Sequence, residues 1–283
     1  MAFTEPAKRK PSGFSAEAKK HLGQHFLHER GIVARIVQAV DPQPGDPLVE
    51  IGPGQGAITF PLLDRHGELT AIEFDRDLIA PLSEAARAHG ALRIIAADVL
   101  DVDFTALARE LAPADGRLRL VGNLPYNLSS PILFHALDHA ASIRDMHFML
   151  QKEVVDRMAA APGSKIYGRL SVMLQAYCSV TPLLNVPPGA FRPPPKVDSA
   201  VVRLVPRAPD AAGIADPKRF ADIVRAGFGQ RRKTLRNALK GVCDEAGFAQ
   251  AGIDPGTRAE QLSVADFARL SHTPKPQPAE PHA

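Results

Sequence analysis

Cysteine is almost absent: Cys178 and Cys243 are the only two in the chain and lie far apart. That pattern fits neither a disulfide framework nor a zinc ligand set, and it points to a reducing cytoplasm. No apolar run approaches the length of a membrane span, so no membrane partner is expected. Residues 1–20 are polar and basic and lack the apolar centre of a secretory signal. An excess of one charge is missing too, with 34 Lys and Arg against 31 Asp and Glu. Any nucleic-acid surface must therefore come from local clustering and not from the net charge of +3. There is no internal repeat. What is present is 283 residues, 45% hydrophobic and 23% charged, enough for one full domain with a sizeable core and a smaller second one.

Along the chain, residues 1–18 hold Lys8, Arg9 and Lys10 with almost no apolar periodicity and read as a mobile basic tail. Lys20 to Leu27 reads as a loop with two buried apolar residues. A helix follows, with Ile32, Val33, Ile36, Val37 and Val40 at helical spacing, ending at Asp41-Pro42. Leu48 to Ile51 is a buried strand that runs into Gly52-Pro53-Gly54-Gln55-Gly56, and Ala57 to Arg65 is a helix. Glycines let a backbone approach a ligand closely, and the helix start presents free amides beside it. The spacing G-x-G-x-G lacks the third glycine of the dinucleotide fingerprint, which disfavours a nicotinamide cofactor.

Further strands are expected at Leu69–Ile72, Leu92–Ala97, Leu118–Val121 and Met146–Leu150. The first ends in Glu73, with Asp75 just beyond, the second in Asp98 and the third in Gly122-Asn123. Polar residues at the carboxyl ends of parallel strands are where open α/β sheets bind ligands, and Glu73 is placed to hold a ribose diol. Singly, each acidic residue could equally be a helix cap. A helix is expected over Gly168–Cys178 and a closing antiparallel pair at Val180–Val186 and Ser199–Val205. The fold class is thus α/β, a doubly wound Rossmann-like sheet, followed after an Asp210–Asp216 linker by a small all-α domain. The expected organisation is a tail at 1–18, a main domain at 19–208, a helical domain at 209–272 and a disordered proline-rich tail at 273–283.

Asn123-Leu124-Pro125-Tyr126 carries the chemistry. The N6 of adenine is a poor nucleophile because its lone pair is delocalised into the ring, so an enzyme alkylating it needs acceptors for the amino hydrogens. The Asn123 side-chain oxygen and the Leu124 carbonyl suit that role, and Pro125 fixes the turn that aims both. Tyr126 offers a stacking ring for an extruded base, although the tetrapeptide could also be an ordinary turn with a core tyrosine. Between the closing strands, Pro187 to Val197 is too proline-rich to be helix or central strand. It holds Phe191 on a stiff loop, as a second stacking ring or as a hydrophobic plug. Arg225 to Lys240 carries Arg225, Arg231, Arg232, Lys233, Arg236 and Lys240 with no acidic residue, and reads as a basic helix against a phosphate backbone.

Four ordered blocks now stand together: Gly23-Gln24-His25-Phe26-Leu27, Glu50-Ile51-Gly52-Pro53-Gly54, Asn123-Leu124-Pro125-Tyr126, and Phe191-Arg192-Pro193-Pro194-Pro195-Lys196-Val197-Asp198-Ser199. From about Lys20 to Leu270 the chain resembles the small-subunit (16S) ribosomal RNA adenine N6-dimethyltransferases of the KsgA type. The resemblance implies S-adenosyl-L-methionine as cofactor, with contacts from His25, Leu27, Gly52, Glu73, Asp98 and Asn123; Gly54 joins them from the glycine loop. The family pattern often has asparagine at His25, so a backbone contact is the safer expectation there. It also implies base stacking by Tyr126 and Phe191. The implied substrate is a pair of adjacent adenosines in the loop of the last helix of 16S rRNA, on an immature small ribosomal subunit, each methylated twice on N6 by a cytoplasmic monomer. Such chemistry needs no metal. Two rivals are a large-subunit rRNA dimethylase of the antibiotic-resistance type and an assembly factor that acts mainly by binding.

Overall fold

The computed structural model describes residues 18–19, 22–112, 116–208, 210–230 and 232–276. The basic tail, Lys20 with His21, and residues 277–283 of the terminal tail therefore lie outside the described residues, as does Arg231.

The first two elements show how local chemistry fixes the chain. A two-residue strand, β1 (Phe26–Leu27), precedes α1 (Arg30–Val40). Glu29 caps α1, its carboxylate accepting from the amides of Gly31 at 3.0 Å and Ile32 at 2.6 Å. Those two amides hold the Glu29 carboxyl below its usual range. The helix buries the five apolar residues expected of it and stops where Asp41 turns left-handed, at φ 43°.

The sheet is built from β2 (Leu48–Ile51), β3 (Glu68–Glu73), β4 (Ala91–Ala96), β5 (Leu118–Asn123), β6 (Ile143–Gln151), β7 (Cys178–Val186) and β9 (Ser199–Pro206), while β8 (Phe191–Arg192) pairs with β1. Its order is β4-β3-β2-β5-β6-β9-β7. The chain winds outward from β2 to β4, returns, and continues on the other side from β5, so the order reverses between β2 and β5. Both neighbours of β2 run parallel to it, and Ile51 is level with Ile72 on one side and Gly122 on the other. The carboxyl ends of three strands are thereby brought to one height, where open parallel sheets bind ligands. Crossover helices α2 (Thr59–His66), α3 (Arg76–Ala86), α4 (Phe104–Leu111) and α5 (Ser129–Asp138) link these strands.

At the opposite end of the sheet Arg119 of β5 is 8% exposed. Its guanidinium donates to Asp46 at 2.6 Å, to both Asp145 oxygens at 2.9 Å, and to the Val40 carbonyl at 2.7 Å. One buried cation thus joins the end of α1, the turn before β2 and strand β6.

The chain divides into two compact units: Met1–Gln151 with Leu184–Val201, and Lys152–Leu183 with Val202–Ala283. This differs from a boundary at 208. Helices α6 (Lys152–Met158) and α7 (Arg169–Tyr177) belong with the C-terminal helices because α7 packs on α8 (Pro217–Gly229) and on α11 (Val264–Ser271). Phe220, Ile223, Val224, Phe248 and Phe267 fill the interior of that unit, whose other short helices are α9 (Leu235–Ala238) and α10 (Glu245–Ala251). Among the described residues no strand follows Pro206.

The expected basic helix is corrected here. Helix α8 ends at Gly229, residues 230 and 232–234 are not helical, and α9 is four residues long. Leu235 and Leu239, both fully buried, anchor the second stretch separately. Nor are the cations all unopposed: Arg225 meets Asp222 at 2.6 Å and Arg236 meets Glu245 at 2.7 Å, acids that lie just outside the window. Arg232, Lys233 and Lys240 are exposed.

Candidate active site

Strand β2 delivers the glycine loop to the level carboxyl edge of the sheet. There Gly54 and Gly56 take φ of 56° and 82°, which favours glycine. A Cβ on Gly56 would sit 2.4 Å from the Phe60 ring, and one on Gly54 would sit 3.2 Å from Phe26. The loop can therefore lie tightly under the segment carrying β1. Helix α2 begins at Thr59 with no side-chain cap, and its Phe60 and Leu62 amides donate to the Gly56 and Ile58 carbonyls at 3.0 Å each.

Above this loop is a cavity of about 290 Å³. It is lined by His25, Leu27, Gly52, Gly54, Glu73, Asp98, Asn123, Leu124, Pro125 and Tyr126, which is every cofactor or base residue named from the sequence except Phe191. Phe191 is 2% exposed, and its backbone in β8 pairs with Leu27. Successive strand residues face opposite ways, so Phe191 points inward and Arg192 outward. The structure thus puts Phe191 in the plug role, not the stacking one. The N-terminal loop also buries only Leu27, with Phe26 half-exposed, where two buried apolar residues were expected.

Asn123 closes β5. Its side-chain nitrogen donates to the His25 carbonyl at 2.9 Å, which leaves the amide oxygen as the acceptor. The next carbonyl with a partner is that of Pro125, which receives the Leu128 amide at 3.0 Å and the Ser129 hydroxyl at 3.2 Å. Among the described residues nothing donates to the Leu124 carbonyl. Two uncommitted acceptors are therefore adjacent at the end of one strand. Tyr126 is half-buried, with its hydroxyl 2.6 Å from Ser199 Oγ and its phenol pushed above the usual range by burial. The His25 ring stacks on it at 5.6 Å between centroids, and His25 Nδ1 is 2.8 Å from the Pro193 carbonyl. His25 thus acts through its backbone on Asn123 and through its ring on Tyr126.

Glu73, 6% exposed, accepts from the Gly54 amide at 3.2 Å and the Asp75 amide at 2.7 Å. Burial raises its carboxyl above the usual range against the pull of those amides. Asp98 caps the turn through the Leu100 amide at 3.0 Å and also lines the cavity.

Three features escaped the sequence reading. Glu50 is 1% exposed, and burial pushes its carboxyl up to about 8 despite a 2.6 Å hydrogen bond from Thr59 Oγ1. The signal was a carboxylate inside an otherwise apolar strand. Phe74, directly after Glu73, is 60% exposed and forms part of the cavity wall. Asp75 caps α3 and is tied to Lys19 at 2.6 Å and Gln24 at 3.0 Å, anchoring the N-terminal segment over the cavity edge.

S-adenosyl-L-methionine fits this lining. Apolar walls from Ile51, Ile58, Ile72, Leu78 and Val99 suit an adenosine. The acidic groups of Glu73, Asp75 and Asp98, with no lysine or arginine among the lining residues, suit a ligand bearing a sulfonium and an ammonium.

The model of the family described as "Ribosomal RNA adenine dimethylase" matches residues 15–274. A protein of Xanthomonas axonopodis pv. citri called "Ribosomal RNA small subunit methyltransferase A" is 74% identical over 262 residues, covering 92% of this chain and 98% of its own. Among solved structures, a dimethyladenosine transferase from Plasmodium falciparum superposes with a TM-score of 0.71 at 25% identity, over 87% of this chain and 96% of that one. The 23S rRNA methyltransferase ErmE gives 0.65 at 28% identity, over 87% and 98%. These likenesses run through the strand ends and loops that build the cavity, and the chain belongs to the ribosomal RNA adenine dimethylase family.

Proposed function

We propose that this chain transfers methyl groups from S-adenosyl-L-methionine to N6 of two adjacent adenosines in the loop of the 3′-terminal helix of 16S rRNA, giving N6,N6-dimethyladenosines. It does so in the cytoplasm, as a monomer, on an immature small ribosomal subunit. The observation that carries the chemistry is the Asn123 amide, whose nitrogen is fixed on the His25 carbonyl while its oxygen is left to accept. Small-subunit specificity is supported by the 74% identity to the Xanthomonas protein of that name, against 28% to ErmE.

The cofactor supplies an already activated methyl group. The residues of this chain position the target and stabilise charge. As N6 attacks, positive charge develops on nitrogen, and acceptors held on its hydrogens stabilise that charge without reorganising. The Asn123 oxygen and the Leu124 carbonyl are those acceptors. The proton then leaves an acidic N-methylated cation, so no strong base is required. Glu73 exchanges its Gly54 amide for the ribose hydroxyls, and the Tyr126 ring receives the base on the face that His25 does not cover.

Asn123→Ala should lower the single-turnover methylation rate far more than it lowers RNA affinity. A rate within ~10-fold of the parent, about 1.4 kcal/mol, would remove the acceptor role. Mass spectrometry of 16S rRNA from cells with and without the gene tests the substrate: loss of two dimethylated adenosines is expected, and an unchanged 16S rRNA with a lost 23S modification would transfer the chain to the large-subunit reading.

A further inference from the structure

The block from Phe191 to Ser199 loses its aromatic ring to the interior, and what it displays is charge. Arg192, Pro193, Pro194, Lys196, Val197 and Asp198 are exposed while Phe191, Pro195 and Ser199 are buried. Neither Arg192 nor Lys196 forms an ion pair among the described residues, whereas Lys19 is committed to Asp75 and Asp77 at 2.6 Å each.

This loop is held at both ends by residues of the active site. At its start, β8 pairs with β1, and the Pro193 carbonyl meets His25 Nδ1 at 2.8 Å. At its end, Ser199 Oγ meets the Tyr126 hydroxyl at 2.6 Å. His25 in turn holds Asn123. The loop is therefore placed by the same groups that place the reacting base. The run of prolines from Pro193 to Pro195, each with a ring-fixed φ, also keeps its backbone stiff.

Electrostatics gives such a loop work to do. The cavity lining has acidic side chains, of which buried Glu50 is largely protonated near neutral pH, and it has no lysine or arginine, so the lining itself offers the phosphates of an approaching RNA strand no counter-charge. Delivering an extruded adenosine there requires cations beside the mouth to counter the flanking phosphates. We propose that Arg192 and Lys196 form a phosphate-binding strap that seats the RNA strand on either side of the target adenosine, separate from the C-terminal cations. This rests on the RNA reading above. Asp198 belongs to the same loop and sets the limit of the strap, which makes its useful length Arg192 to Lys196.

The test compares the parent with Arg192→Ala/Lys196→Ala, using a hairpin RNA with the sequence of the 3′-terminal 16S helix and no cofactor. The log-log salt dependence of binding should flatten by up to ~1.4 in the double variant, at ~0.7 for each phosphate of a single strand that is no longer neutralised. Single-turnover methylation should fall at least ~10-fold, while calorimetric affinity for S-adenosyl-L-methionine stays unchanged. Arg192→Lys/Lys196→Arg should keep the parental slope. An unaltered slope in the alanine variant overturns the strap, as does a matching drop in cofactor affinity, which would mark the loop as scaffold only. Failure of the functional reading looks different: the parent itself would leave 16S rRNA unmethylated, whatever the two slopes are.

Discussion

Glu50 reverses the usual behaviour of a carboxylate. Its folded-state value of about 8 lies above the ordinary 4.5, so between those values the folded chain binds more protons than the unfolded one. Stability from this group is complete below the lower value and is lost as pH rises toward the upper one. Glu50→Gln should therefore flatten the decline in unfolding free energy between about pH 5 and about pH 8, by at most roughly 4 kcal/mol at ~1.4 kcal/mol per unit. Urea titrations of the cofactor-free protein at both ends of that window check it. If parent and variant lose stability equally, Glu50 is not the group responsible. At this scale the sequence was legible where the residues that line the cavity sit at strand ends. Glu73, Asp98 and Asn123 each close a short apolar run, and a run's end needs no tertiary information. Phe191 was not legible in that way. Its burial depends on pairing with Leu27, across more of the chain than any local pattern spans.

Among the elements, the parallel sheet was readable because its strands are buried on both faces and appear as near-continuous apolar runs. The register that levels Ile51 with Ile72 and Gly122 was not, since nothing in a single strand states the height of its neighbour. Arg119 helps to set that height at the far end of the sheet. Arg119→Met should cost ~3 kcal/mol, because it removes the buried cation shared by Asp46 and Asp145, although Asp46 keeps Arg144 at 2.7 Å. Equilibrium denaturation measures it, and a loss below ~1 kcal/mol would mean that the site is hydrated or that its acids become protonated.

The basic stretch is divided by its own backbone. Charge composition from Arg225 to Lys240 suggested one helix, but Gly229 ends α8 and Thr234 begins α9 in extended conformation, at φ −66° and ψ 159°. Acids outside the window then neutralise two of the cations. RNA anchoring by this region should therefore fall mainly on Arg232, Lys233 and Lys240. Replacing those three with alanine should flatten the salt slope by up to ~2, at ~0.7 for each phosphate they neutralise. Arg225→Ala, paired as it is with Asp222, should change it little; a larger effect from Arg225→Ala than from the triple variant would reverse this ranking.

For the whole molecule, the sequence foretold two parts but drew a single cut at 208. The chain instead leaves the first unit after Gln151 and returns to it for Leu184–Val201. A segment that leaves and returns has no compositional mark, because its residues look like ordinary helix and strand in either unit. The returning piece is the one that carries the proline-rich block, so the active site is completed by residues that follow the first part of the second unit. With the cavity-lining residues proposed to hold the cofactor in one unit and Arg232, Lys233 and Lys240 in the other, methylation and binding should be separable. Glu73→Ala should weaken cofactor affinity by ~2–3 kcal/mol, the scale of a charge-assisted hydrogen bond. The same variant should still co-sediment with immature small subunits in sucrose gradients. If it sediments free of subunits, the catalytic cavity is itself a main anchor.

The carboxylate lining of that cavity also bears on competition inside a living cell. Adenosine is most abundant there as ATP and related nucleotides, which share the base and ribose that Glu73 and the apolar walls would grip. A chamber lined by Glu73 and Asp98, with no lysine or arginine in its wall, gives a polyphosphate tail no cation to pair with while suiting a cationic amino-acid tail. Selectivity among metabolites would then come from what the wall refuses as much as from what it grips. The enzyme could stay open to a scarce methyl donor in a solution crowded with phosphorylated lookalikes.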